Sequence, residues 1–259
     1  MSECLEQVIK QKSTTDTVPE NYRGVWQRHL LETATSKDDT SLVLWMQTLQ
    51  FHIDIRIPEN RPQLRKVDKL EDYMNEELLQ LAAQQGFAGI THVTPSSATS
   101  SDLCQWHRKF DFQPPNGTRD IGKMVFTDAH TVIETGIDDA YLEVWRRLEN
   151  SQTPCLFECI TGKNRLGLEI PAYLMRAGNW VAYARPRHAI LSNAMTLFAA
   201  IQTHKPEREL LLDWLDMEIS FGKIVDEKHW QIKYSTLPFK ELSVKELSYK
   251  NLLNNPLGN

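Results

Sequence analysis

The stretch that decides the fold is Ser41-Leu42-Val43-Leu44-Trp45-Met46-Gln47-Thr48-Leu49-Gln50-Phe51-His52-Ile53-Asp54-Ile55-Arg56-Ile57-Pro58. It is rich in Leu, Val, Trp, Phe and Ile until Pro58, which has no N–H to offer a strand ladder. It is too long for one strand of about 5–6 residues, so it reads as two strands with a turn or bulge at 48–50. Its second half alternates, with apolar residues at the odd positions 51–57 and His52, Asp54 and Arg56 at the even ones. Successive strand side chains point to opposite faces, which gives this segment one apolar and one polar face.

Similar signals extend outward in both directions. Tyr22–Leu30, 87–94, 104–113, 122–126, 131–135, 141–148, 155–161, 166–176 and 180–185 read as strands, and 217–225 with 230–235 as a hairpin. The period changes over 66–85, where Leu70, Tyr73, Met74, Glu77, Leu78 and Leu81 suit an amphipathic helix with Gly86 as its C-cap. Residues 193–204 and 206–215 also read as helical, with Pro206 in a first turn. Many short strands at spacings of roughly 8–12 residues argue a sandwich or barrel. The expected fold is mainly β: an antiparallel barrel with helical insertions near 66–85 and 193–215. Residues 1–20 read as a flexible polar arm and 21–259 as a single domain.

With 259 residues, 41% hydrophobic and 24% charged, the chain can bury a sizeable core without staples. A net charge of -5 gives no general attraction for nucleic-acid backbones or anionic lipids, though a local basic pocket stays open. The first twenty residues lack a secretory pattern, and no run approaches the roughly 18 apolar residues that span a bilayer. Cys4, Cys104, Cys155 and Cys159 are therefore expected as free thiols, and the expected compartment is the cytosol. No nucleic-acid or membrane partner is expected.

Strand parity supplies the candidate site. Trp26 shares a face with Gly24 and Arg28, Trp45 with Gln47, Trp106 with Arg108, Phe110 and Phe112, and Trp145 with Tyr141, Glu143 and Arg147. Rings beside charged or amide groups suit a ligand cavity, with Arg28 and Arg108 placed to grip an anion or stack on a planar group. The plain alternative is that these polar groups pair internally or reach past the rings to water. For His52, Asp54 and Arg56 the simplest reading is a solvated face with a surface ion pair; the alternative is an acid/base cluster in a polar interior. Glu218, alternating with Met217, Ile219 and Phe221, admits the same two readings.

Motifs for metals, nucleotides and serine hydrolysis are absent: no H-E-x-x-H, P-loop, G-x-G-x-x-G or G-x-S-x-G occurs, and Cys155-x-x-x-Cys159 lacks zinc-ribbon spacing. No metal and no cofactor are expected.

Gly24-Val25-Trp26 on the first strong strand resembles the G-x-W motif that opens lipocalin-like (calycin) barrels. That resemblance implies a barrel, doubled or decorated given the chain's length. It also implies that Trp26 packs at the closed end near an arginine of a late strand, with Arg176, Arg185 and Lys233 as candidates. Trp45-x-Gln47, Asp54-Ile55-Arg56-Ile57-Pro58 and Glu218-Ile219-Ser220-Phe221-Gly222 are also similar to a bacterial family of uncharacterised function.

Two functions follow as expectations. The first is a small-molecule binder holding a partly aromatic or anionic ligand inside the barrel, in a Trp- and Arg-lined cavity formed by Arg28, Trp26, Trp45, Gln47, Arg56, Trp106, Arg108, Trp145 and Glu218. The second is a cofactor-independent isomerase, cyclase or lyase. In that case Glu143 or Asp54 moves the proton, His52 or Tyr141 assists, and Arg56 or Arg108 steadies negative charge.

Overall fold

The computed structural model describes residues 17–59, 61, 66–96 and 101–247. The first sheet contains β1 (Gly24–Thr33), β2 (Lys37–Asp38), β3 (Leu42–Gln47), β4 (Phe51–Ile57), β5 (Gln85–Thr94), β6 (Asp102–Asp111), β7 (Asp120–Asp128), β8 (Thr131–Gly136) and β9 (Tyr141–Arg147). Apart from β2, a two-residue flap on β1, each strand pairs antiparallel with the next. β1 also pairs with β9, which closes an eight-stranded barrel. Closure removes the edges that an open sheet would leave.

The second sheet is an open half-barrel of β10 (Cys155–Lys163), β11 (Glu169–Ala177), β12 (Trp180–Arg185), β13 (Glu218–Ile224), β14 (His229–Ser235) and β15 (Val244–Glu246), in sequence order. Among the described residues three α-helices accompany the sheets: α1 (Asn75–Leu81), α2 (Leu197–His204) and α3 (Arg208–Leu215).

The main core lies between the sheets. Phe51, Ile53, Ile55 and Ile57 on the outside of β4 pack with Tyr173, Met175, Ala182, Ile219 and Phe221 of the second sheet, and with Leu78, Leu197 and Leu211 of the helices. Phe51 and Phe157 stack at 3.5 Å between ring centroids. The turn expected at 48–50 separates β3 from β4.

The helical signal over 66–85 yields less helix than expected. A 3-10 turn at Leu70–Asp72 precedes α1, which the Glu77 carboxylate caps by accepting the Met74 N–H at 2.7 Å. Gly86 is not a C-cap, because β5 has already begun at Gln85. Thr196 caps α2 by accepting the Ala199 N–H at 3.0 Å, as a threonine N-cap should. Pro206 lies just before α3, whose N-cap is Glu207. Cys104 and Cys155 are free thiols, whereas Cys159 is disulfide-bonded, so the expectation of free thiols throughout does not hold.

Candidate ligand site

Strand register assembles the barrel interior. Trp26 lies opposite Trp45 on one side and Arg147 on the other; Trp45 faces Asp54, and Trp106 faces Asp120. The four tryptophans meet inside. Trp26 and Trp45 stack at 6.2 Å, while Trp106 and Trp145 approach Trp45 edge-on at 5.7 and 5.9 Å. The Arg147 guanidinium sits 4.5 Å over the Trp26 ring and donates to the Asn21 carbonyl at 2.5 Å. Arg176, Arg185 and Lys233 belong to the second sheet, so none of them is the partner of Trp26.

The polar face of β4 points into the barrel, which overturns the solvated reading. Asp54 is 1% exposed, and its carboxylate takes the Arg56 Nε at 2.9 Å. Burial raises its pKa, against the pull of Arg56. Arg28 donates to Glu143 at 2.8 Å and to Asp38 at 2.5 Å, and Arg56 approaches Glu143 at 3.8 Å. Thr91 donates to Gln47 Oε1 at 2.6 Å, so it accepts from His52 Nδ1 at 2.9 Å. His52 is therefore the Nδ1–H tautomer, and its buried Nε2 has no partner. Burial, with Arg108 and His107 nearby, lowers its pKa to about 3, so this imidazole stays neutral.

Glu134 differs from the other interior carboxyls. Tyr141 donates to one of its oxygens at 2.8 Å and the Trp145 N–H to the other at 3.1 Å, but among the described residues no cation pairs with it. It lies directly opposite Glu143, and like charges so placed repel. Burial first, then Glu143 and Asp120, push its pKa well up. Burial and Glu134 likewise raise that of Tyr141.

The parity argument fails past Arg108. Gly89 pairs with Arg108 and Ala88 with Phe110, leaving Lys109 as an extra residue in a β-bulge. The bulge turns Phe110 and Phe112 outward to the inter-sheet core while Trp106 and Arg108 stay on the inner side. Arg108 lies 3.8 Å over the Phe87 ring and binds Asp120 at 2.6 Å and Asp111 at 2.9 Å.

These groups almost fill the interior. The space left between Trp45, Asp54, Phe87, Trp106 and Glu134 is about 10 Å³, room for about one water. A ligand-sized space lies outside the mouth, in a cleft of about 710 Å³ that shares Trp106 and Asp120 with the interior. Arg108, Lys109, Arg119 and Arg187 line it against Asp111 and Asp120. Both carboxylates are engaged by Arg108. Among the described residues, Lys109, Arg119 and Arg187 have no ion-pair partner.

Of the residues expected from sequence, those on β1, β3, β4, β6 and β9 converge in or at the mouth of this barrel. Glu218 does not: it lies on β13, bonded to Lys240 and, at 3.1 Å, to Ser220. Glu134, Asp120 and Arg187 were missed. Glu134 shares its face with Val132 and Gly136 and was legible by the same parity, whereas no local pattern marks Arg187. Among the described residues no three His, Cys, Asp or Glu side chains are grouped to hold a metal, and no helix is long and apolar enough to cross a membrane.

No family profile and no curated protein matches the chain. Its fold is similar to the crystal structure of an uncharacterised protein from Saccharomyces cerevisiae, with 12% identity and a TM-score of 0.51 over 88% of this chain and 91% of that one. At that identity the likeness is one of fold alone.

Proposed function

We propose that the protein binds a small molecule, partly aromatic or anionic, in the cleft at the mouth of its first barrel. The observation that carries this is the 710 Å³ cleft, walled by Trp106, Arg108 and Phe110, on a chain whose net charge is -5. Such a volume lies within the usual range for ligand sites. The resemblance to lipocalin-like barrels supports the reading: eight strands close antiparallel, and Trp26 lies beneath an arginine of the last barrel strand. Native mass spectrometry of freshly purified protein should show a stoichiometric extra mass that denaturation releases and that Trp106→Ala diminishes. A clean mass, with no binder found in a panel of aromatic acids, would remove the proposal.

Glu134 favours a second reading, cofactor-independent acid/base catalysis. Glu143 and Asp54 are committed to Arg28 and Arg56, so proton transfer would fall to Glu134, with Tyr141 on its Oε1, and would reach the cleft through the water-sized space beside Trp106. Once a ligand is known, Glu134→Gln should abolish its turnover and leave its binding intact. Unchanged turnover would return the reading to binding alone.

A further inference from the structure

The cleft has four cationic side chains, but they are not equivalent. The charge of Arg108 is already met by two carboxylates, with Asp120 on two of its nitrogens and Asp111 on the third. Arg187, among the described residues, has no carboxylate within ion-pair distance, although Asp111 and Asp216 act on it through space. Its Nη1 donates to the Asp111 carbonyl at 3.1 Å and its Nη2 to the Phe112 carbonyl at 2.7 Å, while its buried Nε has no partner. Two backbone carbonyls orient the guanidinium plane without neutralising it. A guanidinium has five N–H donors in a fork, so three remain, the buried Nε–H and one on each terminal nitrogen, and the terminal ones are donors that an oxyanion can accept. Burial lowers the pKa of Arg187 to about 10, and the nearby Asp111 and Asp216 offset it only in part. Phe110, Ile190, Leu191 and Met217 line the same cleft, and Ile190 is 93% exposed, a large apolar side chain at the rim with little cover.

We infer that Arg187 is the anchor of the cleft, and that its ligand is an organic oxyanion, carboxylate or phosphate, whose flat apolar body lies against Trp106, Phe110 and Ile190. This rests on the cleft being the ligand site, and it moves the anion contact from Arg108 to a residue outside the barrel strands. Arg108 keeps its own carboxylates and closes the barrel behind the ligand.

The test is calorimetric titration of the full chain with 2-naphthoate, 2-naphthyl phosphate and neutral 2-naphthol. At least one anion should bind about tenfold or more tighter than 2-naphthol, the scale of one charged hydrogen bond, and whichever anion is tighter names the head group. Arg187→Met should erase that preference and leave 2-naphthol binding as it was. Arg187→Lys, which keeps the charge but lacks the fork, should retain only part of the preference and decides the matter if Arg187→Met does not fold. A preference that survives both substitutions overturns Arg187 as the anchor. Equal binding of 2-naphthol and both anions overturns the oxyanion class but leaves the cleft as a ligand site. No binding by any of the three overturns this inference, while the mass of the purified protein independently tests the cleft.

Discussion

Glu134 and His52 are buried groups with opposite pH signatures. The folded pKa of His52, about 3, lies below its ordinary 6.5. The unfolded chain therefore takes up that proton first, and stability present above pH 6.5 is lost as pH falls towards 3. The folded pKa of Glu134 lies above its ordinary 4.5, so its contribution is full below pH 4.5 and lost as pH rises through the folded value. Between those ordinary values the two slopes oppose each other. Above pH 6.5 the carboxyl's slope stands without that opposition, up to about 1.4 kcal/mol per pH unit. Urea denaturation from pH 5 to 9 should show stability falling on the alkaline side, and Glu134→Gln should flatten that fall; parallel curves would mean Glu134 is already ionised. Arg28 provides a second test. Arg28→Met leaves the Glu143 carboxylate, 4% exposed, with only Arg56 at 3.8 Å, and should cost up to about 3–5 kcal/mol. Arg28→Met with Glu143→Leu should recover much of that in the same denaturation experiment.

At the scale of the element, the bulge in β6 shows where sequence reading ends. Alternation was legible along β1, β3 and β9, and it placed Trp26, Trp45, Glu143 and Trp145 on one face, as found. In β6 nothing local marks Lys109 as an extra residue. The signal sits across the sheet at Gly89, where a Cβ would lie 2.0 Å from the His107 carbonyl oxygen. Gly89→Ala should lower thermal stability severely, because backbone rather than a flexible side chain stands in the way, while Lys109→Ala on the exposed bulge should be nearly neutral. Equal melting temperatures would mean the two strands can part without loss. In β4 the alternation was plain, but which face met water was not. Neither does, since the barrel encloses one face and the second sheet covers the other.

For the whole molecule, short antiparallel strands were legible as a barrel-type fold, but neither closure through the β1–β9 pairing nor the opening of the second sheet was. Both depend on pairings between distant parts of the chain. The shared core also bears on the expectation of one domain over 21–259. With Ile53, Ile55, Tyr173 and Phe221 in one apolar cluster, we propose that barrel and half-barrel melt together. Calorimetry should give one transition with equal calorimetric and van't Hoff enthalpies, and two resolved transitions would separate them. The tryptophan cluster has an optical consequence. Rings 5.7–6.2 Å apart exchange excitation by dipole coupling faster than they emit, so the four behave as one antenna. Trp106 is the member that lines the cleft, and a quencher seated there should dim the emission of all four.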